Sequence, residues 1–309
     1  MTIRVVFMGT PGFALPTLAM LADRYDVVGV FTQRDKPAGR GQEIAVSPVK
    51  EFAQARGLPV YQPATLRRPE PVAELRALRP DLIVVAAFGL ILPQEVLDIP
   101  QHGCLNVHAS LLPRWRGAAP VAAAILAGDA KTGCTIMRME AGIDTGPILA
   151  QKAIPIAPDD TTASLTLRLA RLGAELLSAT LPRWLAGEIT PQPQDEACAT
   201  YAPMVRKEDG RLDWTRPADH LARQVRAYQP WPGAYTTWKG QLLKVLRAHA
   251  LNDASAEIGR VMAWGNEAAV GTGEGMLVLD EVQLAGRRPA AMADFLRGAR
   301  GFVGSFLGP

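Results

Sequence analysis

Leu105-Asn106-Val107-His108-Ala109-Ser110-Leu111-Leu112-Pro113 runs an apolar strand into a proline-stopped loop. On an extended strand alternate side chains share a face, so Asn106 and His108 should project together. Ser110-Leu111-Leu112-Pro113 follows the strand's end, where open α/β sheets bind their ligands. Farther along, Gly142-Ile143-Asp144-Thr145-Gly146 offers a carboxylate on a glycine-bounded turn. Asn can hold a developing oxyanion, His can exchange protons near neutral pH, and Asp can orient or charge-balance the imidazole. Together Asn106, His108 and Asp144 are candidate catalytic residues for acyl transfer. Alone, Asp144 reads as a turn aspartate, and a single His or Asn as a satisfied polar group.

Around this stretch the first half alternates strand-like and helix-like segments, the pattern of a mostly parallel α/β sheet. Residues 3–8 form a continuous apolar run, as a strand buried on both faces requires. A turn at Gly9-Thr10-Pro11-Gly12 leads to a helix over 14–24, and strands are expected over 26–32, 81–88 and 135–139. Further helices are expected over 48–56, with proline at the first turn, and over 118–128, closed by glycine. Leu165, Leu169, Leu172 and Leu176 recur at helical spacing and predict a long helix over 162–184. Residues 187–204 are rich in proline, threonine and glutamine and read as a linker. The expected domains are therefore 1–186 and 205–309. In the second, a helix over 217–228 precedes short β-type runs separated by glycine turns, as in a small barrel.

The length of 309 residues favours two domains. With 48% hydrophobic and 20% charged residues the composition is that of ordinary globular proteins. No apolar run approaches the ~20 residues that span a bilayer, and residues 3–8 are too short for a signal peptide. A cytoplasmic protein without a membrane partner is expected. Cys104, Cys134 and Cys198 show neither CxxC nor metal-ligand spacing, so reduced thiols and no metal are expected. Cys104, near His108, raises the option of a nucleophilic thiol, but at the start of a buried strand it reads as core.

The net charge of +3 is unevenly placed. Residues 1–203 hold 19 Lys/Arg and 19 Asp/Glu, whereas 204–309 hold 14 and 11, a weak sign of an anionic partner for the last third. There Arg223 and Arg226 share a helix face, and Tyr228, Trp231, Trp238 and Lys239 follow; basic residues interleaved with aromatics suit RNA. Trp231, between Pro230 and Pro232, fits buried packing equally well. Residues 33–46, lacking strand or helix pattern, carry Arg34, Lys36 and Arg40 and could order around nucleic-acid phosphates. The opening turn lacks the G-x-G-x-x-G spacing, and Pro11 removes an N–H that a pyrophosphate loop would use, so no NAD is expected.

The run from Asn106 to Pro113, continued by Arg114-Trp115-Arg116-Gly117-Ala118-Ala119-Pro120, resembles the signature of the folate-dependent formyltransferases. Val5-Val6-Phe7-Met8-Gly9-Thr10-Pro11-Gly12-Phe13, residues 32–41 and Gln229-Pro230-Trp231-Pro232-Gly233-Ala234 are similar to the branch acting on methionyl-tRNA. The resemblance implies a Rossmann-like formyltransferase domain followed by a small OB-like β-barrel that binds tRNA. It implies 10-formyltetrahydrofolate as formyl donor, initiator methionyl-tRNA as acceptor, and Asn106, His108 and Asp144 as catalytic residues. Ser110, Leu111, Leu112 and Pro113 would line the folate site, with Lys36 and Arg40 facing the tRNA. Gln42-Glu43 departs from the basic residues that often follow in the family. A monomer is expected. The competing readings are formyl transfer to a small amine, an RNA-binding protein with a dead catalytic half, and a nicotinamide oxidoreductase.

Overall fold

A computed structural model of the chain describes residues 2–38 and 43–308. The chain forms two compact units. One comprises residues 1–120, 132–154 and 166–202; the other comprises 121–131, 155–165 and 203–309.

The first unit is built on a seven-stranded sheet. Its strands and short ribbons, in chain order, are β1 (Arg4–Gly9), β2 (Asp26–Phe31), β3 (Lys36–Ala38), β4 (Glu43–Ala45), β5 (Val60–Tyr61), β6 (Leu82–Ala86), β7 (Cys104–His108), β8 (Arg116–Gly117), β9 (Lys131–Arg138), β10 (Ile148–Pro155) and β11 (Tyr201–Ala202). The order across the main sheet is β10-β9-β7-β6-β1-β2-β5. Pairing is parallel from β5 through β7 and becomes antiparallel where β7 meets β9. The sheet is thus mixed and mostly parallel. The chain leaves β1 toward β2 and β5, then returns to build β6 and β7 on the other side, which places the order reversal beside the strands that carry the site. Val5, Phe7, Leu82, Val84, Leu105 and Val107 pack on one face and Val6, Met8, Ile83 and Val85 on the other. Two covered faces explain why β1 is apolar from Val5 to Met8 and β6 along its whole length.

The helices are α1 (Leu15–Arg24), α2 (Pro48–Ala55), α3 (Pro69–Ala77), α4 (Gln94–Leu97), α5 (Pro120–Ala127) and α6 (Thr162–Leu185). Ser47 caps α2, accepting from the Lys50 amide at 3.1 Å, and Pro48 stands at the first turn. Gly173 of α6 faces β7 and β9: a Cβ there would stand 2.6 Å from Val107, so glycine lets the helix lie close to the strands.

Three differences from the sequence reading have local causes. Residues 33–46 contain a ribbon, with Lys36 opposite Ala45 and Ala38 opposite Glu43. Three-residue strands, one with a proline, leave no alternation to detect. The strand expected over 135–139 begins earlier, as β9, and its partner β10 is an edge strand, partly buried at Ile148, Leu149 and Ala150 and mostly exposed after them. In α3, Pro69 and Pro71 fill the first turn and the sequence looks like a loop.

The second unit holds α5 together with α7 (Ala218–Ala227), β12 (Ala234–Trp238), β13 (Gln241–Leu251), β14 (Val261–Trp264), β15 (Glu267–Gly271), β16 (Met276–Leu284), β17 (Ala290–Ala291) and α8 (Met292–Gly298). Its sheet is antiparallel in the order β12-β13-β16-β15-β14, with β17 on β16. The end of the chain joins the two edges: Gly308 pairs with Thr237 on β12, and Phe306 pairs with Arg260 just before β14. Inside, Trp238, Phe295 and Phe302 meet edge to face, with ring centroids 5.1–5.9 Å apart. Among the described residues no helix is long and apolar enough to cross a membrane.

Candidate active site

β7 carries Asn106 and His108 on one face, as its two-residue spacing requires. Both are largely buried, at 8% and 6% exposure. Asp144 arrives from the turn between β9 and β10. Asn106 Nδ2 donates to Asp144 Oδ1 at 3.3 Å, and His108 Nδ1 stands 3.6 Å from Asp144 Oδ2. The three residues singled out by sequence therefore converge on one carboxylate.

The surrounding backbone fixes each partner. Gly117 donates its N–H to Asp144 Oδ2 at 2.8 Å from a φ of 110°, a conformation suited to glycine. A Cβ there would also lie 2.7 Å from the Ala202 carbonyl oxygen. His108 Nε2 meets the Trp115 carbonyl oxygen at 3.0 Å. A carbonyl has no proton to give, so Nε2 carries the hydrogen. In the neutral ring Nδ1, on the Asp144 side, is then the nitrogen without a hydrogen. An amide nitrogen bears two hydrogens; Asn106 uses one on Asp144, and the second is available for an oxyanion.

Ser110 through Pro113 follow His108 along the chain, but not every side chain faces outward. Ser110 is fully buried, and its hydroxyl donates to the Arg114 carbonyl at 2.6 Å. Thr135 Oγ1 donates to the Ser110 carbonyl at 2.7 Å and accepts from the Leu112 amide at 3.1 Å. Gln151 Nε2 reaches the Leu112 carbonyl at 2.8 Å. Leu112 is buried, whereas Leu111 and Pro113 are half-buried, and the Leu112–Pro113 bond is cis. Ser110 and Leu112 thus shape the turn, and Leu111 and Pro113 present its apolar surface.

Sequence reasoning assigned no role to Arg116, Gln194 or Glu196. Arg116 is fully buried and holds Glu196 through two hydrogen bonds of 2.8 and 2.7 Å. Its Nε and Nη2 both donate to Gln194 Oε1, at 3.1 and 2.9 Å. Gln194 Nε2 then donates to the carbonyls of Asp144 and Gly146, at 2.8 and 2.7 Å. The guanidinium holds the Glu196 carboxyl below the usual carboxylate range, and Glu196 in turn raises Arg116 above the ordinary arginine value. Gln194 and Glu196 lie in the stretch expected as a linker. The only sequence signal was the arginine inside an otherwise recognisable run.

The residues proposed for nucleic acid are placed less completely. Arg40 lies outside the described residues, as does the side chain of Lys36. At the foot of their ribbon, Asp35 pairs with Lys50 and accepts from Gln62 Nε2 at 2.9 Å. Lys50 first, and Gln62 after it, hold the Asp35 carboxyl below its ordinary range. Arg223 and Arg226 do share a helix face, but Arg223 donates to the Leu126 carbonyl at 3.0 Å and Arg226 to the Asp160 carbonyl at 2.9 Å. They brace their own unit. Trp231 is exposed, whereas Trp238 is buried with Lys239 Nζ 4.7 Å from its ring centroid. Burial, and secondarily the charge of Asp98, pushes the Cys104 thiol up to about 12, which removes it as a nucleophile at neutral pH. Among the described residues no group of three His, Cys, Asp or Glu could hold a metal ion.

Residues 3–181 match the family described as formyl transferase, and residues 204–300 match the formyl transferase C-terminal domain. A methionyl-tRNA formyltransferase of Geobacter sulfurreducens is 50% identical over 99% of this chain and 97% of its own length. One from Myxococcus xanthus is 52% identical over 98% of this chain and 97% of its own. Among solved structures, the N-formyltransferase of Helicobacter canadensis, in complex with folinic acid and dTDP-3-aminofucose, superposes with a TM-score of 0.66 at 18% identity, covering 90% of this chain and 98% of that one. HypX from Aquifex aeolicus, in complex with tetrahydrofolic acid, gives 0.63 at 19% identity over 99% of this chain. The match spans 49% of the HypX chain, and at such identities the likeness is one of fold.

Proposed function

Since the chain belongs to the methionyl-tRNA formyltransferases, we propose that Asn106, His108 and Asp144 are the groups through which it acts. The enzyme transfers the formyl group of 10-formyltetrahydrofolate to the α-amino group of methionine on initiator methionyl-tRNA, giving N-formylmethionyl-tRNA for translation initiation. The observation that carries the assignment of residues is the convergence of one amide and one imidazole on the Asp144 carboxylate, within 3.6 Å, at the end of a buried strand.

The neutral amine attacks the formyl carbon, a carbon–nitrogen bond forms, and the carbonyl oxygen becomes an oxyanion. Asn106 donates its second N–H to that oxygen. A proton must then leave the attacking nitrogen and another must reach the folate N10 as its bond to the formyl carbon breaks, so no net proton is consumed. His108 moves that proton through Nδ1, because Nε2 is held by Trp115. Asp144 orients Asn106 through Oδ1 and stands beside the imidazole with Oδ2. Leu111 and Pro113 supply the apolar wall for the pterin, on a turn that Ser110 and Leu112 hold in shape.

For the tRNA, Lys36 and Arg40 are assigned to the acceptor end, and residues 205–309 to a tRNA-binding domain, with 1–186 as the catalytic domain. The second unit is read as an OB-like barrel; the pairing of the chain's last residues with both edge strands supports closure. The enzyme is assigned to the cytoplasm as a monomer. Incubation with 10-formyltetrahydrofolate and charged tRNA tests the reading: formylmethionine should appear on initiator tRNA and not on a charged elongator. Absence of formylation, or equal use of both tRNAs, would overturn it.

A further inference from the structure

Asp144 stands in the left-handed backbone region, with a φ of 54°. Outside glycine that region is disfavoured, although aspartate enters it more readily than most residues, and a residue stays there when its surroundings favour it. The loop has little room to relax: a Cβ on Gly146 would lie 1.8 Å from the Arg138 carbonyl oxygen, so the chain there is pressed against the end of β9. Something must hold the Asp144 carbonyl and carboxylate at the same time. The carboxylate is held by the Gly117 N–H and by Asn106. The backbone at Asp144 and two residues beyond it is held by one group, the amide nitrogen of Gln194, which donates to the carbonyls of Asp144 and Gly146.

We infer that Gln194 is the positioning residue for Asp144, its amide set by Arg116, so that the stretch holding Gln194 and Glu196 completes the active site. The orientation of the Gln194 amide follows from its partners. Arg116 can only donate and the two carbonyls can only accept, so oxygen must face the guanidinium and nitrogen must face the loop. Both Gln194 hydrogens and its oxygen are thereby engaged. Glu196 fixes the guanidinium in turn, with a bidentate geometry that a lysine would not reproduce. Arg116 also precedes Gly117 in the chain. Two adjacent residues therefore grip Asp144, one directly through its N–H and one through Gln194.

The inference rests on the assignment of Asp144 to catalysis and is tested with Gln194→Glu. A glutamate keeps an oxygen toward Arg116 but replaces the double donor with an acceptor facing two carbonyls. The variant should remain folded at the assay temperature, which a thermal melt verifies. The kcat should fall on the order of 10- to 100-fold, the effect of misplacing a catalytic group by about 1 Å. The KM for 10-formyltetrahydrofolate should stay within roughly twofold, since the altered group acts through Asp144 and not on the donor. In an Asp144→Asn background the same change should cost about twofold or less, because two residues acting through one group are not additive.

Hydrogen exchange at the Gly117 amide reads the loop without turnover. It should accelerate roughly tenfold or more in Gln194→Glu as the Asp144 carboxylate shifts. Gln194→Met, of similar volume and without donors, should behave in the same way. Unchanged Gly117 exchange, unchanged kcat, or a full additional loss in the Asp144→Asn background would overturn the inference. An Asp144→Asn enzyme with unaltered turnover would instead contradict the catalytic assignment, leaving Gly117 exchange to decide whether Gln194 places the loop.

Discussion

The Nε2–H of His108 donates to the carbonyl of Trp115 at 3.0 Å, and Trp115 offers that carbonyl from a left-handed backbone with a φ of 63°. The pairing orients the imidazole and fixes which of its nitrogens faces Asp144. It also gives Trp115 a task that its side chain does not explain, since the indole lies beneath the Arg114 guanidinium, 4.3 Å from the ring centroid.

Trp115→Asn should therefore preserve turnover better than Trp115→Val. Asparagine tolerates the left-handed region, whereas a β-branched residue resists it and would draw the carbonyl away from His108. A kcat loss of roughly tenfold or more is expected for valine, with asparagine markedly less affected. Steady-state kinetics of both variants check this, and equal losses would show that the carbonyl is not what His108 needs.

Arg116 and Glu196 predict a pH signature in stability. The Glu196 carboxyl lies below its ordinary value because Arg116 bonds its charged form. The stability it contributes is thus present above the unfolded glutamate pKa, about 4.3, and is lost as pH falls through the lower folded value. Glu196→Gln should have a reduced Tm at pH 7, where the buried Arg116 loses its charged partner. Below pH of about 4 the gap to the unaltered enzyme should narrow. Calorimetry across pH 3–7 measures the two curves; parallel curves would mean that this pair does not contribute.

Arg40→Ala should weaken use of tRNA far more than use of the folate donor. Losing one phosphate contact should reduce the slope of log affinity against log salt by about one unit or less. Titrations of charged initiator tRNA at several salt concentrations provide the readout. Equal effects on both substrates would remove Arg40 from the tRNA surface.

The meeting of Asn106, His108 and Asp144 was legible because its signal is local. Asn106 and His108 sit two apart on a short apolar strand, and Asp144 sits between glycines. The buried β1 and β6 and the leucine spacing of α6 were legible for the same reason. What escaped depended on distant partners. Gln194 acts on Asp144 from 50 residues away through backbone carbonyls, in a stretch whose composition resembles a linker. Ser110 has the chemistry of a ligand contact, yet its hydroxyl is spent on Arg114 inside the turn. The spacing of Arg223 and Arg226 fixed their shared face but not what that face packs against.

Single-turnover formylation of initiator methionyl-tRNA by Asn106→Ala and His108→Ala enzymes, each verified as folded, tests the central claim most directly. Loss of the Asn106 donor should slow the chemical step ~100- to 1000-fold, and loss of His108 should slow it ~100-fold or more, with both enzymes still binding 10-formyltetrahydrofolate. A chemical step within about threefold of the unaltered enzyme in either variant would contradict the account, since a difference that small is less than a lost hydrogen bond to a developing charge.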